Sequence, residues 1–296
     1  MLSLRSGDSS LVLAPEIGGA IVGWSVGATS LLRRPQADAI MQGDVRGLAC
    51  FPLIPYSNRI GRREFRWAGR DYRLERNFGD QPHCIHGIGW RSQWTVSTVS
   101  ASSASLTLHH DAAGPQANRW PFAFTAEQHF TLTADRLQVM VSLTSKHPHP
   151  APGGIGLHPY FPRASQATLQ FTATEVWQNG ADMLPARRIP VPPDWDQRAG
   201  KRIGSAALDN CFSGWNGKAQ IGWEADRTGL SIEADGLFRH LIVYTPLAHD
   251  FFCIEPVSHV TDAINHAETD PALAMQILQP ETTLQGAVTF RVTTRG

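Results

Sequence analysis

Alternation with a period of two dominates this sequence and limits what it can fold into. In "LQVMVSLTS" Leu137, Val139, Val141 and Leu143 fall on one face, with Gln138, Ser142 and Thr144 opposite, as a half-buried strand requires. "FTAEQHFTLT" alternates just before it, and Ala-Asp-Arg between the two makes a hairpin connection. "FRWAGRDYRL" reads as a second hairpin: Phe65 and Trp67, a turn at Ala68-Gly69-Arg70, then Tyr72 and Leu74. Further strands are expected in "SLTLHH", "ATLQFTAT", "LSIEAD", "HLIVYT" and "AVTFRVTT". No 12-residue window carries helical apolar spacing. One short helix is expected over Asp270 to Leu278, with an Asp cap and Pro at its first position. Many strands without interleaved helices predict an all-β protein, a large antiparallel β-sandwich or barrel with few short helices. "SKHPHPAPGG" is flanked closely by strands, so it reads as a loop within a single domain over residues 1–296.

Composition excludes several classes of function. Lys plus Arg equals Asp plus Glu, 26 each, so no overall field recruits nucleic acid or an acidic membrane. The uncharged run Ile17 to Leu32 is studded with Gly and Ser and falls short of the ~20 residues of a membrane span. Four widely spaced cysteines form no C-x-x-C pair, so free thiols in a reducing cytoplasm are expected. The N-terminus lacks the basic flank and apolar core of a secretion signal. No Gly-rich phosphate loop follows a strand, so no nucleotide cofactor is expected.

Five polar groups occupy places where apolar packing would be usual. In "GIGLHPYFP" His158 stands in an apolar run and is followed by Pro159, which has no N–H for a sheet ladder. In "FFCIEPVSH" Glu255 closes an apolar run and again precedes a proline. Both therefore read as strand ends that hold an ionisable side chain rigidly. A buried carboxylate is costly unless paired, and burial raises its pKa toward general-base values. A carboxylate and an imidazole presented this way can divide a proton transfer. Arg59 follows the proline-stiffened "FPLIPYSN" and offers fixed donors for hydroxyls or a carboxylate, or a salt bridge pinning a loop. Asp209 in "LDNCFSGW" suits a turn, a cap or a binding role. In "HCIHGIGW" His86 precedes glycines that let the backbone approach a ligand. His83 and Cys84 beside it suggest a metal. On a strand, however, only Cys84 and His86 share a face, so no metal site is expected. Trp90, Trp94, Trp120, Trp177, Trp215 and Trp223 offer flat faces for a sugar ring, though most belong to the core.

Together "PYSNRIG", "EFRWAGRDYRL", "HCIHGIGW", "RWPFAFTAEQHFTL", "GIGLHPYFP", "LDNCFSGW" and "FFCIEPVSH" resemble the aldose 1-epimerase (galactose mutarotase) family, in the family's order and across most of residues 50 to 260. "LVLAPEIGGAIVGWSV" also looks like the family's first hairpin. The resemblance implies a supersandwich with an open sugar cleft and no cofactor. It implies Glu255 as the base that takes the proton from the anomeric hydroxyl, His158 as the acid that protonates the ring oxygen, and His86 as their assistant. Arg59 and Asp209 would hold sugar hydroxyls. The expected activity is aldose 1-epimerase, an isomerase acting on a monosaccharide, in a cytoplasmic monomer or homodimer. Ser145 stands where members often carry Asn, and "LQPETTLQG" lacks the usual Pro-Gly-Glu turn, which leaves the sugar open. Alternatives are a mutarotase for an anionic sugar (a hexose 6-phosphate or sulfoquinovose), with Arg62, Arg63, Arg66 and Arg163 as its cationic subsite, and a non-catalytic carbohydrate-binding protein. A metal-dependent cupin is disfavoured, because "HPH" at 147–149 is not followed by the expected carboxylate.

Overall fold

The alternating segments assemble into two large antiparallel sheets. The computed structural model describes residues 1–163, 166–204, 206–223, 228–266 and 273–294. Among these, an 11-stranded sheet runs Leu2–Ser6, Ser9–Ala14, Ala20–Val26, Cys50–Leu53, Gly156–Pro162, Phe251–Val257, His240–Tyr244, Asp209–Ser213, Glu175–Asn179 and Pro185–Pro190, with Thr29–Ser30 on the Ala20–Val26 strand. A nine-stranded sheet holds the Phe124–Leu132, Arg136–Ser145 and Thr283–Thr294 strands at its centre. Every strand expected from alternation is present. The hairpin Glu64–Trp67 with Arg70–Arg73 turns through Ala68 and Gly69, both at positive φ, as a tight two-residue connection demands. The segment that resembled a first hairpin does pair, Ser9–Ala14 with Ala20–Val26, but Leu2–Ser6 precedes it as a further strand.

The expected helix over Asp270 to Leu278 does not extend to its end. Residues 270–272 lie outside the described residues, and Gln276–Leu278 is a strand paired with Ala151–Gly153. A nine-residue segment with a capping signal is short enough for backbone pairing to override local propensity. The helices described, Ala39–Gln42 and Ala263–His266, span four residues each.

The core lies between the sheets. Leu137, Val139, Val141 and Leu143 are all buried, as their alternation predicts. From the larger sheet Leu157, Phe161, Phe252 and Ile254 point the same way, and Phe161 meets Phe290 of the facing sheet at 6.4 Å between ring centroids. The other face of these central strands is buried too, and there the chemistry gathers.

Candidate active site

Register across the larger sheet brings the polar residues together. Gly156 pairs with Val257 and Tyr160 with Cys253, which sets His158 opposite Glu255. His158 also faces Phe51 on its other side, and Glu255 faces Ile242. The next row runs Tyr160, Cys253, Tyr244 and Asp209. Alternation sends all of these side chains to one face.

His158 and Glu255 do not end their strands as expected; both sit within them, in Gly156–Pro162 and Phe251–Val257. Tyr160 donates its N–H to Ala49 O at 2.8 Å, so the Pro159 nitrogen, one residue earlier, points to the opposite neighbour, the Glu255 strand. Paired register there skips from Gly156 to Tyr160. Pro159 thus interrupts the ladder between His158 and Glu255 without ending the strand.

Across that gap His158 Nε2 lies 3.2 Å from Glu255 Oε1, with both side chains buried. The His158 ring packs against Phe51 and Tyr160, each with centroids 4.6 Å away. Burial pushes the His158 imidazole down to about 3 and holds the Glu255 carboxyl well above the usual range, with Asp209 adding to the latter. Glu255 Oε2 and His158 Nδ1 are buried and meet no hydrogen-bonding partner among the described residues. Unsatisfied buried polar atoms are rare and call for an explanation.

His86 and Arg59 arrive from segments above the sheet. Asn58 donates its N–H to His86 Nδ1 at 3.1 Å, and His86 N–H returns a bond to Asn58 O at 2.8 Å. Both residues sit at left-handed φ, 55° and 61°, a strained conformation for a histidine that the paired bonds maintain. Burial, with smaller contributions from the neighbouring His158 and Arg59, holds the His86 imidazole well below its ordinary value, hence neutral. With Nδ1 accepting, its proton is on Nε2. The following Gly87 is at φ 69°, and a Cβ there would stand 2.1 Å from Ile54 O. That carbonyl accepts the N–H groups of Ile88 and Gly89, so the "HGIG" turn closes only on a glycine.

Asn58 Oδ1 takes the Arg59 N–H at 2.9 Å and its Nη1 at 3.2 Å, while Arg59 Nη2 reaches Asp209 Oδ2 at 3.7 Å. Burial raises the Asp209 carboxyl, and Arg59 offsets part of that rise. His259 fixes the same loop from below: its Nε2 accepts the Ser57 N–H at 3.1 Å and its Nδ1 bonds Val260 O at 2.8 Å. Gly154 makes room for that ring, since a Cβ there would lie 2.2 Å from His259 Cδ2.

All five expected residues, Arg59, His86, His158, Asp209 and Glu255, line one cleft of about 490 Å³. Trp90 also reaches its wall, whereas Trp94, Trp120, Trp215 and Trp223 are buried in the core. His83 and Cys84 are engaged elsewhere. His83 Nδ1 accepts the Arg62 N–H, its Nε2 bonds Asp182 O, and the Cys84 thiol donates to Glu75 O. Ligand atoms of His158, Cys253 and Glu255 do lie within 4.8 Å of one another, a grouping able to hold a metal ion; it is built on the His158–Glu255 contact and not on "HCIHG".

Residues that sequence reasoning passed over complete the site. Asn58 and Tyr160, which line the cleft, and His259, which holds the Ser57 loop, stand inside the quoted motifs, where only their neighbours looked unusual. Arg33, in "SLLRRP", carries no local signal, yet it lines the cleft. The four arginines considered for a cationic subsite under the anionic-sugar alternative do not line it. Arg63 donates to Leu74 O, Arg66 pairs with Asp71, Arg163 donates to Pro246 O, and Arg62 lies on the turn that His83 holds.

Comparison with known proteins agrees with this construction. The Escherichia coli (strain K12) protein called "Uncharacterized protein YphB" is 30% identical over 268 residues, which cover 87% of this chain and 88% of that protein. The crystal structure of an Escherichia coli K12 protein provisionally named an aldose 1-epimerase superposes with a TM-score of 0.88 at 28% identity, over 99% of this chain and 98% of that one. A galactose mutarotase-like protein from Clostridium acetobutylicum shares the fold, with a TM-score of 0.87 at 17% identity over 99% and 94% of the two chains. Residues 1–291 match the aldose 1-epimerase family model; both large sheets, apart from the last three residues of the Thr283–Thr294 strand, and every residue lining the cleft fall inside that match, and the chain belongs to the aldose 1-epimerase family.

Proposed function

We propose that the protein is a mutarotase, which interconverts the α and β anomers of an aldose by opening and reclosing the sugar ring. The observation that carries this is the buried His158–Glu255 contact of 3.2 Å at the cleft wall. Ring opening removes a proton from O1 and delivers one to O5, two oxygens on a single carbon. Acid and base must then stand almost together, and these two do.

The proton balance closes within the pair. Burial favours keeping one proton on the pair beyond the carboxylate with neutral imidazole, so the pair is electrically neutral. Burial rests that proton on Glu255; passed to His158 Nε2 across the 3.2 Å contact, it leaves Glu255 free to accept the O1 proton as Nε2 gives its own to O5. The C1–O5 bond breaks, O1 becomes the aldehyde oxygen, and the pair remains neutral with its proton now on Glu255. Rotation about C1–C2 presents the other face of C1. Reclosure returns each proton by the reverse path. His86 Nε2–H donates to the oxygen that gathers charge, and Arg59 and Asp209 hold ring hydroxyls so that C1 meets the pair.

The test is equilibration of freshly dissolved α-D-glucose or α-D-galactose, followed by polarimetry, together with sugars substituted at C6. Acceleration above the buffer rate is expected. The buffer rate with every sugar would overturn the proposal.

A further inference from the structure

Charge pairing in the cleft leaves one cation over. Arg59 faces Asp209, and Arg46 pairs with Asp44 at 3.0 Å. Arg33 forms no ion pair within 4 Å among the described residues, and Asp44 and Asp250 act on it only at longer range, though it is 6% exposed and lines the same cleft. Its Nη2 donates to the backbone carbonyls of Arg46 and Leu48, and its backbone N–H to Tyr160 O. The guanidinium lies over Tyr160, with Cζ 3.8 Å from the ring centroid, and 4.7 Å from that of Phe251. Nε is buried without a hydrogen-bonding partner among the described residues. Two carbonyls and two rings hold the group rigidly, and none of them neutralises it. An unpaired buried charge is costly, so its retention in a ligand cleft asks for a counter-charge on the ligand.

Position says where that counter-charge sits. Tyr160 stacks on His158 on one side and carries Arg33 on the other, so a single aromatic ring separates the cation from the acid. If His158 protonates O5, a pose that turns the adjoining C5 toward Tyr160 carries the C6 substituent to Arg33. We infer that the substrate is an aldose with an anionic group at C6 (phosphate, sulfonate or carboxylate) and that Arg33 is the residue that selects it. The inference takes its reaction and the pose of O5 from the mutarotase reading; the unpaired cation itself stands without that reading. It replaces the four arginines considered from sequence by one.

The experiment compares D-glucose with D-glucose 6-phosphate, D-glucuronate and 6-deoxy-6-sulfo-D-glucose. Binding is measured by titration calorimetry and turnover by anomer-resolved NMR, in the wild type, R33Q and R33K. At least one anionic sugar should bind the wild type roughly 30-fold or more tighter than glucose, R33Q should collapse that ratio to within about threefold, and R33K should restore part of it. The three anions separate which group is used. Equal affinity for glucose and all three anions, or a ratio unchanged in R33Q, overturns the inference. If R33Q does not fold, the salt dependence of the wild type decides: anion binding must weaken between about 0.05 and 0.5 M salt while glucose binding does not, and equal salt response overturns it. Anion-selective binding without turnover would instead sink the mutarotase reading, and turnover of neutral sugars without selectivity would sink only the role of Arg33.

Discussion

The central strands of the larger sheet bury both faces, with opposite contents. One face presents Leu157, Phe161, Phe252 and Ile254 to the second sheet, all within 1% of complete burial. The other presents His158, Tyr160, Cys253 and Glu255, nearly as buried, with Glu255 Oε2 and His158 Nδ1 unsatisfied. The first face stabilises the protein by removing apolar surface from water. The second gives up stability to keep ionisable groups where solvent does not reach them. Residues alternating along the same two strands thus divide stability from chemistry.

The largest effect that sharpens this contrast is on the cleft face. E255Q and H158N should each lower the rate of anomer exchange by ~10²–10⁴-fold, read by NMR, with the melting temperature unchanged or higher, because a buried ionisable group is removed. A collapse in melting temperature would show that the pair belongs to the stabilising face after all. On the core face F252A should do the opposite. Denaturant unfolding should register a loss of about 3–5 kcal/mol, while kcat/KM per folded molecule stays within a few-fold. A smaller change is expected at the loop that completes the cleft. R59K keeps the charge but loses the planar fork that Asn58 orients, and KM should rise roughly tenfold with kcat less affected.

The smallest effect is one of pH. Burial depresses His158 to about 3 and His259 to about 4 in the folded protein, against roughly 6.5 when unfolded. The unfolded chain then binds more protons, so the contribution of both histidines is complete above pH 6.5 and is lost as pH falls through those folded values. Glu255, raised by burial, acts with the opposite sign: its contribution is complete below the unfolded carboxyl value and fades as pH rises toward the folded one. Melting temperature should therefore fall on acidification below about pH 6.5. H259Q, which loses the Ser57 and Val260 bonds, should melt lower at pH 7 but with a shallower acid slope. An identical slope in H259Q would remove His259 from the account.

The strands were legible because alternation is local: "LQVMVSLTS" states its buried face within nine residues. The five site residues were legible one at a time, each as a polar group in apolar or proline-stiffened company, and the family resemblance supplied their roles. Their meeting was not legible, because it depends on register between strands far apart in the chain. Proline beside His158 and Glu255 read as the end of a strand, where it instead interrupts one ladder inside a continuing strand. Arg33 was invisible for another reason. In "SLLRRP" nothing separates it from the exposed Arg34 next to it, and only the sheet shows that one of the two turns inward onto Tyr160.

The central claim is that His158 and Glu255 share one proton and act as a unit. Anomer exchange rates of the wild type, E255Q, H158N and the double variant, measured by NMR at one pH on protein shown to be folded, test it directly. Groups that act as a unit fail as a unit: the double variant should be no slower than the slower single variant. A double variant whose loss is the product of the two single losses would mean that the two residues act independently, and would contradict the account.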